Sequence, residues 1–200
     1  MLNVAILIYP EAEVLDFSGP FEVFSTANRI EQTPCFNVFL VAETEQPVVA
    51  RGGYKVLPHF DFSRAPRADV LLISGGVHNG PLRNPAVIQW IAARAADAEI
   101  VASVCTGAFL LAEAGLLHDF PVTTHWEDIS DLRKNYPALQ VVTEERWVDA
   151  GKIVTSGGIS AGIDMSLHLV ERLRSLETAL HTARQMEYSW QGNKDKVTAP

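Results

Sequence analysis

Short apolar runs alternate with longer stretches of helical spacing along the whole chain. Residues 4–9 are apolar at every position and stop at Pro10, the pattern of a strand buried on both faces. Residues 16–30 then place Phe21, Phe24 and Ala27 at helical spacing, with Pro20 expected near the first turn. A second strand is predicted over 36–41, a hairpin over 48–57 around Gly52-Gly53, and a loop over 58–67. The strand at 70–73 ends on Ser74-Gly75-Gly76. An alanine-rich helix covers 85–98, and the strand at 100–104 runs straight into Cys105-Thr106-Gly107. A helix follows over 107–114, short strands over 122–125 and 153–155, and helices over 160–173 and 176–188. Buried strands alternating with helices predict a three-layer α/β domain with a mostly parallel sheet over residues 1–190. Residues 191–200 read as a flexible tail.

Composition narrows the function classes. The 200 residues carry 16 Lys+Arg against 24 Asp+Glu, a formal charge of −8, so no basic stripe offers itself to nucleic acid or an anionic membrane. The apolar start is followed by Glu11, Glu13 and Asp16, the reverse of a secretory signal's polarity. No apolar run approaches the roughly 20 residues of a membrane span. The expectation is a soluble, cytoplasmic protein. Its two cysteines, Cys35 and Cys105, sit in different settings and suggest no disulfide framework.

Ligands of open α/β sheets sit beyond the carboxyl ends of the strands, and three features fall there. In Ser103-Val104-Cys105-Thr106-Gly107 a strand ends on a cysteine and a helix begins at once, with small residues at the bend. That is the form of a nucleophile elbow. The helix N-terminus would favour a thiolate there; alternatively Cys105 is a small buried apolar side chain. Gly75 and Gly76 could aim backbone N–H groups at an anion, with the Thr106 N–H completing an oxyanion hole, or could form an ordinary strand-end turn. Asp16 lies at the first strand-to-helix junction among apolar neighbours. It is either a desolvated carboxyl that holds a proton near neutral pH or a helix N-cap. His125, in Thr123-Thr124-His125-Trp126, could line the same site. Asp164 and His168 are four apart and could pair on a helix. No metal-ligand spacing occurs, and Cys35 reads as structural.

Together these residues resemble the ThiJ/PfpI superfamily. The resemblance rests on Leu15-Asp16-Phe17-Ser18-Gly19-Pro20, Ser74-Gly75-Gly76, Ser103-Val104-Cys105-Thr106-Gly107, Thr123-Thr124-His125-Trp126 and the run from Thr155 to Asp164. It implies a flavodoxin-like sandwich and a homodimer. The Cys105-Thr106 pair, the Asp16 segment and Gln185-Met186-Glu187-Tyr188 are most similar to the isocyanide-hydrating branch. That branch implies Cys105 as nucleophile, Asp16 as acid/base partner, Thr106 placing water, a small-molecule substrate and no cofactor. Phe21-Glu22-Val23-Phe24 resembles instead the ligand-sensing domains of AraC-type regulators. Those regulators append a DNA-binding domain, whereas this sequence stops at 200 with an acidic balance, so a stand-alone sensor is the alternative. Thr106 stands where PfpI-type peptidases place His, and Asp16 where the glyoxalase and deglycase branch typically has Glu. The glyoxalase-type branch remains a third reading.

Overall fold

The computed structural model describes residues 1–31 and 33–192. Strand β1 (Leu2–Leu7) leads into helix α1 (Val14–Ile30) and strand β2 (Phe36–Ala42). The expected hairpin is β3 (Val48–Val49) with β4 (Lys55–Val56), and β5 (Phe60–Asp61) follows it. Next come β6 (Val70–Ile73), the short α2 (Asn79–Leu82), α3 (Pro85–Asp97), β7 (Ile100–Val104) and α4 (Gly107–Glu113). Then β8 (Pro121–Val122), α5 (Ile129–Asn135), β9 (Gln140–Val141), β10 (Trp147–Ala150) and β11 (Ile153–Ser156) precede α6 (Ser160–Leu173) and α7 (Leu176–Gln185).

Seven strands form one sheet in the order β10-β11-β7-β6-β1-β2-β5. Every pairing is parallel except β10 with β11 at the edge. All residues of β6 and β7 are buried, as strands covered on both faces must be. Helices α1, α6 and α7 pack on one another, as do α2, α3 and α4, giving the helical layers that flank the sheet. This is the flavodoxin-like α/β sandwich. The chain runs outward from β1 to β2 and β5 and then returns to β6 on β1's other side. The crevice at the carboxyl ends of β1 and β6 is therefore the topological switch point, where such sheets hold ligands.

Several local expectations are corrected. The loop predicted over 58–67 contains edge strand β5, anchored to β2 by Val41↔Phe60. The strand expected over 122–125 is only Pro121–Val122; the Thr123 N–H goes to Thr155 Oγ1 at 2.9 Å instead of to a ladder partner. Helix α1 begins at Val14, two residues before Asp16, so Pro20 lies inside it rather than in its first turn. The second helix of the closing pair ends at Gln185, short of 188. Of the expected tail, Gln191 donates its N–H to Asp164 at 2.8 Å, and residues 193–200 lie outside the described residues.

Candidate active site

Cys105 follows the last residue of β7 with φ at 56°, a left-handed conformation that a side-chain-bearing residue holds only under constraint. The constraint comes from both flanks. Its N–H donates to the Ser156 and Gly157 carbonyls at 3.2 and 3.3 Å, and its own carbonyl accepts from Thr124 Oγ1 at 2.8 Å. Gly107 starts α4 so tightly under β6 that a Cβ there would lie 2.4 Å from the Ile73 carbonyl oxygen. The small residues at the bend are thus a packing requirement of the elbow, and the turn presents the thiol at the carboxyl edge of the sheet.

Asp16 meets that thiol from α1. Its side chain caps nothing: the N-cap is Glu13, and Asp16 is fully buried. Its Oδ2 accepts the Gly75 N–H at 3.1 Å and its Oδ1 the Ile159 N–H at 3.0 Å. Burial raises the carboxyl to about 7, with the Glu13 charge adding to it, while the two amides and the Cys105 thiol pull it back down. Ile159 makes its bond from φ 58°, a genuine outlier for a β-branched residue. The bond to Asp16 is what that strained turn delivers.

The expectation that the helix terminus favours a Cys105 thiolate is corrected. Burial pushes the thiol well up and the Asp16 charge pushes it further; the Thr106 N–H only partly opposes them. Helix α4 has seven residues, too short a dipole to reverse a burial of this depth. Two acids sharing one apolar wall cannot both ionise, so the thiol gives up its proton when Asp16 takes it.

The glycine pair also differs from the expected oxyanion hole. Gly75 spends its N–H on Asp16, and Gly76 spends its own on Thr106 Oγ1 at 2.9 Å. The Thr106 hydroxyl in turn donates to the Gly76 carbonyl at 2.8 Å, a reciprocal clamp between the loop after β6 and the elbow. Neither amide is left to meet an anion. What the loop supplies is closeness: a Cβ on Gly75 would sit 2.6 Å from Cys105 Cβ and 2.7 Å from Asp16 Oδ2. The Thr106 N–H remains beside the sulfur.

His125 does line the site. Its ring packs against Gly158, where a Cβ would lie 2.3 Å from Nδ1 and 3.1 Å from the Cys105 sulfur, and its Nε2 faces Glu127 at 3.7 Å. A cavity of about 390 Å³ opens over Cys105 and Thr106, with His125, Asp128, Ile159 and His78 in its walls. Tyr9 is buried near Asp16 and Cys105, whose charges it feels, and donates its hydroxyl to the Ser74 carbonyl at 3.2 Å. The sequence assigns no site role to Tyr9, Ile159, Gly158, His78 or Asp128, although Gly158 and Ile159 lie in the 155–164 run that carries the resemblance. Only His78 and Asp128 carry a side-chain type that could have signalled them.

Asp164 and His168 do not pair. Asp164 is held by Arg146, whose Nε donates to it at 2.6 Å, and His168 Nε2 meets Asp149 at 2.6 Å. Both clusters are built into α6 and the β10 edge, away from the cavity lining. Cys35 is buried at the start of β2, where its N–H donates to Asn28 Oδ1 at 2.9 Å. Among the described residues no group of three His, Cys, Asp or Glu is placed to hold a metal. Among them, too, no helix is long and apolar enough to cross a membrane.

Residues 2–172 match the model of the DJ-1/PfpI family. The chain is 35% identical to the isonitrile hydratase of Pseudomonas putida over 94% of its own length and 79% of that protein. It is 29% identical to the HTH-type transcriptional regulator CdhR of Pseudomonas aeruginosa over 90% of its length, spanning about half (53%) of that relative. A ThiJ/PfpI family protein from Pseudomonas syringae superposes with a TM-score of 0.84 at 28% identity, covering 98% of this chain and 79% of the other.

Proposed function

The chain belongs to the DJ-1/PfpI family, and we propose that within it this protein hydrates isocyanides to N-substituted formamides on Cys105. The observation that carries the reading is the pairing of a strained, cavity-facing cysteine with a buried carboxyl raised to about 7. A general acid/base works best with a pKa near the working pH, and burial has put Asp16 there without a neighbouring cation to undo it. The likeness to the isonitrile hydratase over nearly the whole chain supports the choice of substrate class.

The reaction divides into two halves. In the first, Asp16 accepts the thiol proton as the sulfur attacks the terminal carbon of R–NC, and that proton is delivered to the same carbon. The product is a thioformimidate, R–N=CH–S–Cys105, and Asp16 is again a carboxylate. In the second, water adds to the carbon, nitrogen gains a proton, and the C–S bond breaks to release R–NH–CHO and the thiol. Thr106 belongs to the same reading: its hydroxyl is clamped to Gly76 with one lone pair left to accept from water, and its N–H faces the sulfur. Nucleophile and acid/base together suffice without a cofactor. A homodimer and a cytoplasmic location belong to the same reading.

The match to CdhR favours a second reading, a small-molecule sensor whose cavity binds without turnover. Incubation of the purified protein with an aromatic isocyanide, followed by absorbance beside Cys105→Ala, separates them. Cys105-dependent formamide supports the hydratase; an inert protein that still binds the isocyanide supports the sensor.

A further inference from the structure

The two halves of the proposed reaction place protons at different atoms, first at carbon and then at nitrogen, one bond further out. Asp16 suits the first. It is fully buried, both its oxygens are held by the amides of Gly75 and Ile159, and it meets the reaction at the sulfur. The cavity over Cys105, the route open to water, is also lined by His78, His125, Glu127 and Asp128 and by Glu13 and Arg51, which pair at 3.4 Å.

Two of these groups are held in distinctive settings. The His78 ring stacks on Phe109 with centroids 4.4 Å apart and planes 27° apart. Phe109 is fully buried in α4, four residues beyond Cys105, so the imidazole lies flat against the elbow's own helix. Asp128 occupies the N-cap position of α5, where aspartate ordinarily accepts from the helix amides, yet its side chain makes no capping bond. It lines the cavity instead. Burial raises its carboxyl, and His78, ahead of His125, is the charge partner that draws it back.

The geometry points to His78, oriented by Phe109 and backed by Asp128, as the group that activates water for the second half of the reaction. The inference rests on the hydratase reading. The free imidazole nitrogen takes a proton from water as the oxygen bonds to the thioformimidate carbon. It passes that proton to the imine nitrogen, giving R–NH–CH(OH)–S–Cys105. The C–S bond then breaks with its electron pair returning to sulfur, and the hydroxyl proton returns through Asp16 to restore the thiol as the C=O forms. Imidazole is the side chain whose chemistry both takes and returns a proton near neutrality.

The test is rapid mixing with excess aromatic isocyanide, acid quench and intact-mass analysis. His78→Gln is expected to form the adduct, one isocyanide heavier, at the wild-type rate, while turnover falls about 10²-fold and adduct accumulates. The formation step should keep its wild-type rate in His78→Gln while only the decay of the adduct slows, a split that a merely structural role would not produce. Asp128→Asn should show the same build-up to a smaller degree, and Asp16→Asn should form little adduct at all. A wild-type melting curve certifies the fold of each variant. Wild-type decay in His78→Gln, loss of adduct formation in that variant, or build-up in His125→Gln instead would each overturn the inference. Absence of both adduct and turnover in the wild type would overturn the hydratase reading itself.

Discussion

Asp16 and Asp164 are both fully buried carboxyls on helices of the same layer, and both accept a backbone N–H. Burial raises both. The difference is the third partner. Asp164 accepts the Gln191 N–H and faces the Arg146 guanidinium, both of which favour its anion against burial. Asp16 faces a thiol and no cation, so its proton stays exchangeable near 7. A buried carboxyl with a guanidinium is a fastener; the same group against a thiol is an acid/base. Burial alone does not distinguish them.

The comparison breaks most visibly in turnover. Cys105→Ala should abolish formamide production, and Asp16→Asn should cost about 10²-fold or more, whereas Asp164→Asn should stay within a few-fold of wild type. Steady-state absorbance assays on the three purified variants check this; equal losses at the two aspartates would erase the distinction.

Stability should run in the opposite order. Asp164→Asn strips a partner from a guanidinium whose side chain is 35% exposed, so the expected loss is about 1–3 kcal/mol, read by urea denaturation.

The pH dependence sharpens the contrast. The folded Asp16 carboxyl titrates at about 7, and unfolded aspartate near about 4, so the native state binds the proton more tightly. Its contribution is complete below about pH 4 and fades as the pH rises through 7, a span on the order of 4 kcal/mol. Asp16→Asn should therefore be more stable than wild type at pH 8, with the gap closing toward pH 5. A gap that is constant across that range would show that Asp16 is not proton-linked to folding. The smallest effect is expected at Ser103, whose buried hydroxyl has no partner among the described residues. Ser103→Ala should raise stability by at most about 1 kcal/mol and leave turnover unchanged.

The sequence made the sheet's interior plain and its edges obscure. Val70–Ile73 and Ile100–Val104 are apolar throughout because helices cover both their faces. Edge strands Phe60–Asp61 and Trp147–Ala150 have two and four residues and one buried face at most, too little pattern to read. At the site, Cys105 was legible because an elbow demands small neighbours. Asp16 stayed double-valued because aspartate at a helix start is also the preferred cap, and only the start of α1 at Val14 resolves it. The Ile159 N–H had no signature, since any residue owns one. Residue type at Gly75 and Gly76 reveals that a backbone amide can approach a ligand, not that Asp16 and Thr106 already engage it.

The bond between Ile159 and Asp16 joins residues 143 positions apart, and Gly75 and Cys105 crowd the same carboxyl. No hairpin or single βαβ unit contains the site. A chain refolding from denaturant has to dock β1, β6, β7 and the start of α6 before the thiol acquires its proton acceptor. Regained turnover should therefore lag regained helical signal, which makes catalysis in this protein a clock for the last step of its own folding.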